Sequence, residues 1–259
     1  MKETVSSLKN CAEFRFYEEL NDFLSQEQRK QPLQYRFNGT PGIRDPIQVF
    51  GVPHSEVDLI IVDGESVGFD YKLQDQDRVS VYPVFTGLDI SPIVKLRDNP
   101  LRNITFIADI NLGKLARLLR LFGFDTLLAN HLSDKEIVKL AADQKRIILT
   151  RDRRLLYNKI VSHGYWVRSV QSMQQLAEVV RRFELASLIR PFYRCVRCNG
   201  LIDAVEKKDV LHLLQPKTKF FYEKFYRCRD CEQIYWEGSH VEKIKNRFAG
   251  FLRRESHAF

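Results

Sequence analysis

Apolar and polar residues alternate with period two over Ala12-Glu13-Phe14-Arg15-Phe16-Tyr17 and again over Leu33-Gln34-Tyr35-Arg36-Phe37, as in strands with one buried face. Asn38-Gly39 is a turn signal, and Thr40-Pro41 places a cap oxygen and a helix-compatible proline before a short helix reaching Phe50. Val57 to Val62 reads as a third strand closed by Asp63-Gly64, and Val67 to Tyr71 and Arg78 to Tyr82 complete a five-stranded pattern around one helix. Residues 86–103, with Pro92 and Pro100, read as a linker. Beyond it the pattern changes. Thr105 to Ala108, Thr126 to Leu128, Arg146 to Leu149 and Tyr165 to Arg168 are short apolar strands. Helical periodicity fills 112–122, 134–142, 153–161 and the segment from Ser172; Gly123 stops the first helix and Ser133-Asp134-Lys135-Glu136 is a capping box for the second. Repeated strand–helix units imply a parallel sheet covered by helices.

In such a sheet, ligands bind beyond the carboxyl ends of the strands. Asp109 directly follows the first strand, Asp134 opens the helix after the second, and Asp152 lies three residues past Leu149. Three carboxylates at one edge repel unless a proton or a cation relieves them. Oxygen donors with room for water and phosphate suit Mg²⁺ or Mn²⁺, and such an ion activates water for in-line attack on phosphorus. Each acid also has a structural reading: Asp134 suits a helix N-terminus, and Asp152 can cap its own helix. Lys114, Arg117 and Arg120 recur on the helix after Asp109. With Arg151, Arg153 and Arg154 they read as phosphate contacts or as solvated surface, and Lys114 and Arg151 lie nearest the acids.

Charge sharpens this picture. Residues 1–100 carry 11 basic and 16 acidic side chains, whereas residues 101–259 carry 30 and 17, so the net of +13 belongs to the C-terminal part. A polyanion partner requires such a field. Apolar content of 44% is that of a globular protein, no apolar run is long enough to span a bilayer, and no apolar segment follows Met1-Lys2-Glu3-Thr4. A cytoplasmic protein with reduced thiols and no membrane partner is therefore expected.

Cys195-Val196-Arg197-Cys198 and Cys228-Arg229-Asp230-Cys231 are two Cys-x-x-Cys loops separated by 29 residues. Two such loops supply a four-sulfur set for Zn²⁺ with no open coordination position, hence a structural ion. The segment between them and Gln233-Ile234-Tyr235-Trp236 read as strands of a zinc ribbon. Lysines and arginines are interleaved there with Phe220, Phe221, Tyr222, Phe225, Tyr226 and Trp236, a composition that binds single-stranded nucleic acid, although half or more of these rings must form the ribbon's own core. Cys11 stands apart as an ordinary thiol. Lys243, Lys245, Arg247, Arg253 and Arg254 make the tail a basic helix or arm.

Two stretches resemble known families. Gly51-Val52-Pro53-His54-Ser55-Glu56-Val57-Asp58 and Asp77-Arg78-Val79-Ser80-Val81-Tyr82-Pro83 resemble the ubiquitin-like β-grasp domain that precedes Mut7-C ribonuclease domains. The chain runs on without a free Gly-Gly tail, which argues against a carrier role, and His54 reads as a partner of local backbone rather than as half of a catalytic pair with Asp58. The run from Ile107-Ala108-Asp109-Ile110-Asn111-Leu112-Gly113-Lys114 to Arg120, Gly123-Phe124-Asp125-Thr126, Ser133-Asp134-Lys135-Glu136-Ile137 and Leu149-Thr150-Arg151-Asp152 resemble the Mut7-C ribonuclease domain of the PIN-like superfamily. The resemblance implies that Asp109, Asp134 and Asp152 bind the catalytic metal. Many PIN-like nucleases carry a further acid, yet no Asp or Glu occurs from Arg153 to Ala177. Glu136 is the candidate substitute, and a single ion completed by substrate phosphates is the simpler expectation.

The expected architecture is therefore multidomain, α+β and α/β: a ubiquitin-like β-grasp domain at 1–85, a linker at 86–103, a PIN-like α/β/α nuclease domain at 104–189, and a zinc ribbon with basic tail at 190–259. The expected function is metal-dependent hydrolysis of RNA at Asp109, Asp134 and Asp152 with Mg²⁺ or Mn²⁺. Lys114, Arg117, Arg151, Arg153 and Arg154 would bind the nucleic acid, and Zn²⁺ on Cys195, Cys198, Cys228 and Cys231 would hold a ribbon that assists RNA binding. The partners are RNA (tRNA or another structured RNA) and a protein recruited by the β-grasp domain. Two alternatives stand beside it: a non-catalytic RNA-binding protein, and a toxin-like nuclease with an antitoxin.

Overall fold

The computed structural model describes residues 8–83, 96, 104–238, 241–244, 246 and 248–250. Apart from Leu96, the expected linker at 86–103 lies outside the described residues, as does the tail from 251 onward. The chain forms two compact units: Met1–Asn103 with Asp152–Tyr165, and Ile104–Arg151 with Trp166–Phe259. The segment after Arg151 thus belongs to the first unit, and the cysteine module shares the second with the parallel sheet.

In the first unit, β1 (Asn10–Phe16), β2 (Leu33–Phe37), α1 (Arg44–Val49), β3 (Val57–Val62), β4 (Glu65–Val67) and β5 (Arg78–Pro83) follow one another. The sheet order is β2-β1-β5-β3-β4, with β1 and β5 parallel and the other pairs antiparallel. Alternation in β1 buries Ala12, Phe14 and Phe16, and the core includes Ile43, Ile47 and Ile60. The two largest departures from expectation have local reasons. The helix begins at Arg44 rather than at Pro41, because Gly42 still bridges Lys72 and the Ile43 N–H donates to the Tyr71 carbonyl. The fourth strand, expected from Val67 to Tyr71, runs instead over Glu65–Val67 because Asp63 and Gly64 both take positive φ (47° and 92°). That two-residue turn returns the chain at once and pairs Val62 with Glu65.

Next come β6 (Phe106–Asp109), α2 (Gly113–Leu121), β7 (Thr126–Ala129), α3 (Asp134–Asp143), β8 (Ile147–Thr150), α4 (Arg153–Leu156), β9 (Gly164–Trp166) and α5 (Ser172–Arg182). The sheet order is β7-β6-β8-β9, with β6 parallel to both β7 and β8. Every residue of β6 and β8 is buried, as a central parallel strand requires. Gly123 (φ 94°) ends α2 where no side chain fits, since a Cβ would clash with the Arg190 carbonyl oxygen. The helix expected over 153–161 is a single turn. The Asn158 side chain accepts the Ile160 N–H at 3.1 Å and diverts the chain.

The remainder of the second unit carries β10 (Ile202–Val205), α6 (Lys207–Val210), α7 (Pro216–Phe221), β11 (Phe225–Cys228) and β12 (Ile234–Trp236). The strands form an antiparallel sheet in the order β10-β11-β12. Between the cysteine loops the chain is thus part strand and part helix, with Pro216 starting α7. The small core beneath consists of Val210, Leu214, Phe225 and Ile234. Among the described residues no helix is long and apolar enough to cross a membrane.

Candidate active site and metal centre

Asp109 ends β6 at the carboxyl edge of the sheet and is only 7% exposed. Its Oδ1 accepts the Asn111 N–H (2.8 Å), which caps the helical turn that follows the strand. Its Oδ2 accepts the Thr150 hydroxyl (2.5 Å) and the Arg151 N–H (3.1 Å). The Thr-x-Asp motif therefore contributes its threonine and the next amide to hold the first aspartate. A carboxylate oxygen offers about two acceptor positions, so Oδ2 is saturated while Oδ1 keeps one.

A cleft of about 720 Å³ opens along this edge, lined among others by Ile110, Asn111, Lys114, Arg117, Asn130 and Ser172. Lys114 and Arg117 are exposed on α2 and form its cationic wall. The Arg151 guanidinium donates to the Ser169 carbonyl at 2.6 Å, so this cation is fixed.

The other predicted site residues stand as follows. Asp134 is exposed at the first position of α3 and makes no hydrogen bond or ion pair among the described residues. Glu136 is committed to the capping box: its Oε2 accepts both the Ser133 N–H and hydroxyl at 2.7 Å, and the hydroxyl bond holds its pKa below the usual value. Within the first unit, Asp152 caps α4 by accepting the Arg154 N–H, and it pairs with the Arg154 guanidinium at 2.9 Å. That hydrogen bond, opposed by partial burial, keeps its pKa low. Arg153 lies over the Phe23 ring, 5.4 Å from its centroid. His54 is a buried strut, its Nδ1 facing Gln48 Nε2 and its Nε2 reaching the Val161 carbonyl at 3.1 Å. Asp109 and Asp134 belong to the second unit and Asp152 to the first.

Four cysteines are gathered into an ion-sized group. The sulfurs of Cys195, Cys198, Cys228 and Cys231 all lie within 4.8 Å of one another, with Cys195–Cys231 at 3.5 Å and Cys198–Cys228 at 3.4 Å. Tetrahedral Zn–S bonds of about 2.3 Å put sulfurs about 3.8 Å apart, so the set has the right size and softness for zinc. Backbone N–H groups of Cys198, Gly200 and Asp230 point at Cys195, Cys198 and Cys228 sulfurs respectively. Burial would raise the Cys195 thiol, but the Tyr235 hydroxyl and neighbouring donors outweigh it and bring it to about 7. Burial and the adjacent thiols push Cys198 up to about 12. Without an ion these groups cannot all ionise, whereas a divalent cation takes them together as thiolates.

Sequence reasoning missed what anchors this centre. Arg120, the third cation of the α2 series, is 5% exposed rather than facing nucleic acid. Its Nε donates to the Thr126 carbonyl (2.8 Å) and its Nη1 to the carbonyls of Val196 and Arg197 (3.2 and 3.1 Å), which lie inside the first cysteine loop. Asn199 accepts the Thr126 N–H and donates to Asp125, which also pairs with Arg146 and Arg194. Burial alone would raise the Asp125 carboxyl, but the Arg146 and Asn199 hydrogen bonds and both guanidinium charges hold it below 3.8. The available signal was spacing: i+6 on a helix has rotated 240° from i, away from a face that i+3 still shares.

A family model described as the Mut7-C RNAse domain matches residues 104–248, and one described as Mut7-C ubiquitin matches residues 9–89. The first match includes both the parallel sheet and the four cysteines. No curated protein and no solved structure matches the chain.

Proposed function

The chain belongs to the Mut7-C RNase family, and on that premise we propose that it is a metal-dependent ribonuclease hydrolysing RNA phosphodiester bonds. The observation that carries this reading is Asp109: a buried carboxylate with one open acceptor position, next in sequence to residues lining a cleft walled by Lys114 and Arg117. Asp109, Asp134 and Asp152 are the proposed ligands of Mg²⁺ or Mn²⁺, an ion that, when bound, supplies an activated water and charge stabilisation at phosphorus. The Arg154 pair does not bar Asp152 from that role. Its side chains are 90% and 40% exposed, and such pairs contribute about 0.2–1 kcal/mol. Lys114 and Arg117 would hold the scissile phosphate, with Arg151 braced beside them and Arg153 and Arg154 contacting the flanking strand. Zn²⁺ on the four cysteines is structural and shapes the ribbon that assists RNA binding. In a reducing cytoplasm the thiols would stay available to it, and the ubiquitin-like unit would recruit a protein partner.

Purified protein should degrade RNA in Mg²⁺ or Mn²⁺, and Asp134→Asn should reduce turnover to background. Asp134 is the informative target because its exposed side chain makes no hydrogen bond or ion pair among the described residues. A second reading, RNA binding without cleavage, is favoured by one observation: Glu136, the candidate fourth acid, is taken up by the capping box of α3. Salt-sensitive RNA binding with no turnover in any divalent metal would decide for it.

A further inference from the structure

Four of the six aromatic residues interleaved with the ribbon's basic residues are spent on its interior. Phe225 is buried, Tyr222 and Trp236 pack on the same core, and Tyr226 stacks on Phe192 with ring centroids 4.7 Å apart. Phe220 and Phe221 are not: they are 80% and 69% exposed, with rings edge to face at 5.1 Å. Lys217, Phe220 and Phe221 stand at i, i+3 and i+4 on α7 and share one face, while Thr218, about 100° further round the helix, is buried. Lys208, Lys217, Lys219 and Lys224 make no ion pair among the described residues, whereas Lys207 is neutralised by Glu223 at 2.6 Å.

Two adjacent bare phenyl rings among uncompensated ammonium groups define what fits there. A protein interface core is depleted in lysine, and a six-residue helix offers too little apolar area to anchor in a lipid surface. Unpaired nucleotides offer what both features need, a π-face for each ring and a phosphate for each lysine. We propose that Phe220 and Phe221 form a stacking platform for single-stranded RNA, with Lys217 on the same face of α7 and Lys224 three residues beyond its end. The platform rests on the ribonuclease reading for its ligand class and deepens it: the RNA would be engaged through an unpaired stretch. Bases inside a duplex cannot reach the rings, so duplex RNA would contact only the lysines.

The test uses the full-length, zinc-loaded chain carrying Asp134→Asn to block cutting, in magnesium-free buffer. Binding of a fluorescent single-stranded oligoribonucleotide is compared with that of its duplex. Each ring removed takes away the surface on which one base stacks, so Phe220→Ala with Phe221→Ala should weaken single-strand binding at least tenfold. Duplex binding should change less than twofold. Replacement of both by tryptophan should restore affinity, and one zinc per chain in each variant shows an intact ribbon. Unchanged single-strand affinity, equal loss on both RNAs, or loss instead of binding to anionic phosphatidylserine vesicles would each overturn the platform. Because this readout is binding alone, it is separate from failure of the ribonuclease reading, which appears as absent turnover by the chain with Asp134 intact.

Discussion

Asp109 is a buried carboxylate and Asp125 a half-buried one, and their surroundings assign them different work. Asp125 is enclosed by Arg146, Arg194 and Asn199, so its charge is consumed by the fold. Asp109 is held by an amide, a hydroxyl and a second amide, neutral donors that leave its charge uncompensated. Asp109→Asn turns one acceptor into a donor. If the new amide faces the Arg151 N–H, the loss is about 1–2 kcal/mol, to be read by chemical denaturation, while Asp134→Asn should cost no more than the dipole contribution of about 0.3–1 kcal/mol. For Asp125 the pH dependence has a definite sign. Its folded pKa is depressed below 3.8, so its contribution is complete above that value and lost as pH falls through the folded pKa. Asp125→Asn should therefore be less stable at neutral pH and lose less stability below about pH 4; equal acid sensitivity in both proteins would contradict this. At this scale, the sequence marked the acids by their place after strands. It could not separate Asp109 from its neighbours, because the Thr150 hydroxyl that distinguishes it comes from a strand 41 residues away.

At the scale of elements, strands and helices were legible wherever local pattern and tertiary demand agreed. Leu33–Phe37 and Val57–Val62 have the predicted limits, and the Ser133 capping box forms as read. Boundaries moved where a partner outside the segment decided, as at Gly42, whose pairing with Lys72 delays α1. The least legible element was the joint between α2 and the first cysteine loop. Arg120 binds three carbonyls in a buried fork, and leaving such acceptors unpaired costs about 1–3 kcal/mol each. Arg120→Ala should therefore destabilise the unit by about 3 kcal/mol and weaken its hold on zinc. Lysine, a point charge without the planar fork, should restore less than half of that loss. Denaturation together with competition against a chromogenic zinc chelator measures both; a variant of wild-type stability would show the fork to be incidental.

For the whole molecule, domain order and class were legible: a ubiquitin-like mixed sheet, a parallel α/β sheet, then a cysteine module. What sequence alone did not convey is that the last two share one compact unit and one family match. Polar bonds between distant loops carry that union, and they leave no periodic trace. Removing zinc should consequently lower the unfolding temperature of the parallel sheet along with the ribbon. Calorimetry should show one shifted transition, whereas a sheet melting unchanged beside an unfolded ribbon would contradict the account. The claim on which the rest depends is hydrolysis at the edge where Asp109 ends β6. The most direct measurement is single-turnover cleavage of a labelled single-stranded RNA by the zinc-loaded chain, titrated with Mn²⁺ or Mg²⁺, beside Asp134→Asn at equal fold stability. The account predicts metal-saturable cleavage that the substitution removes; identical cleavage by both proteins, or RNA bound and left intact at every metal concentration, would contradict it.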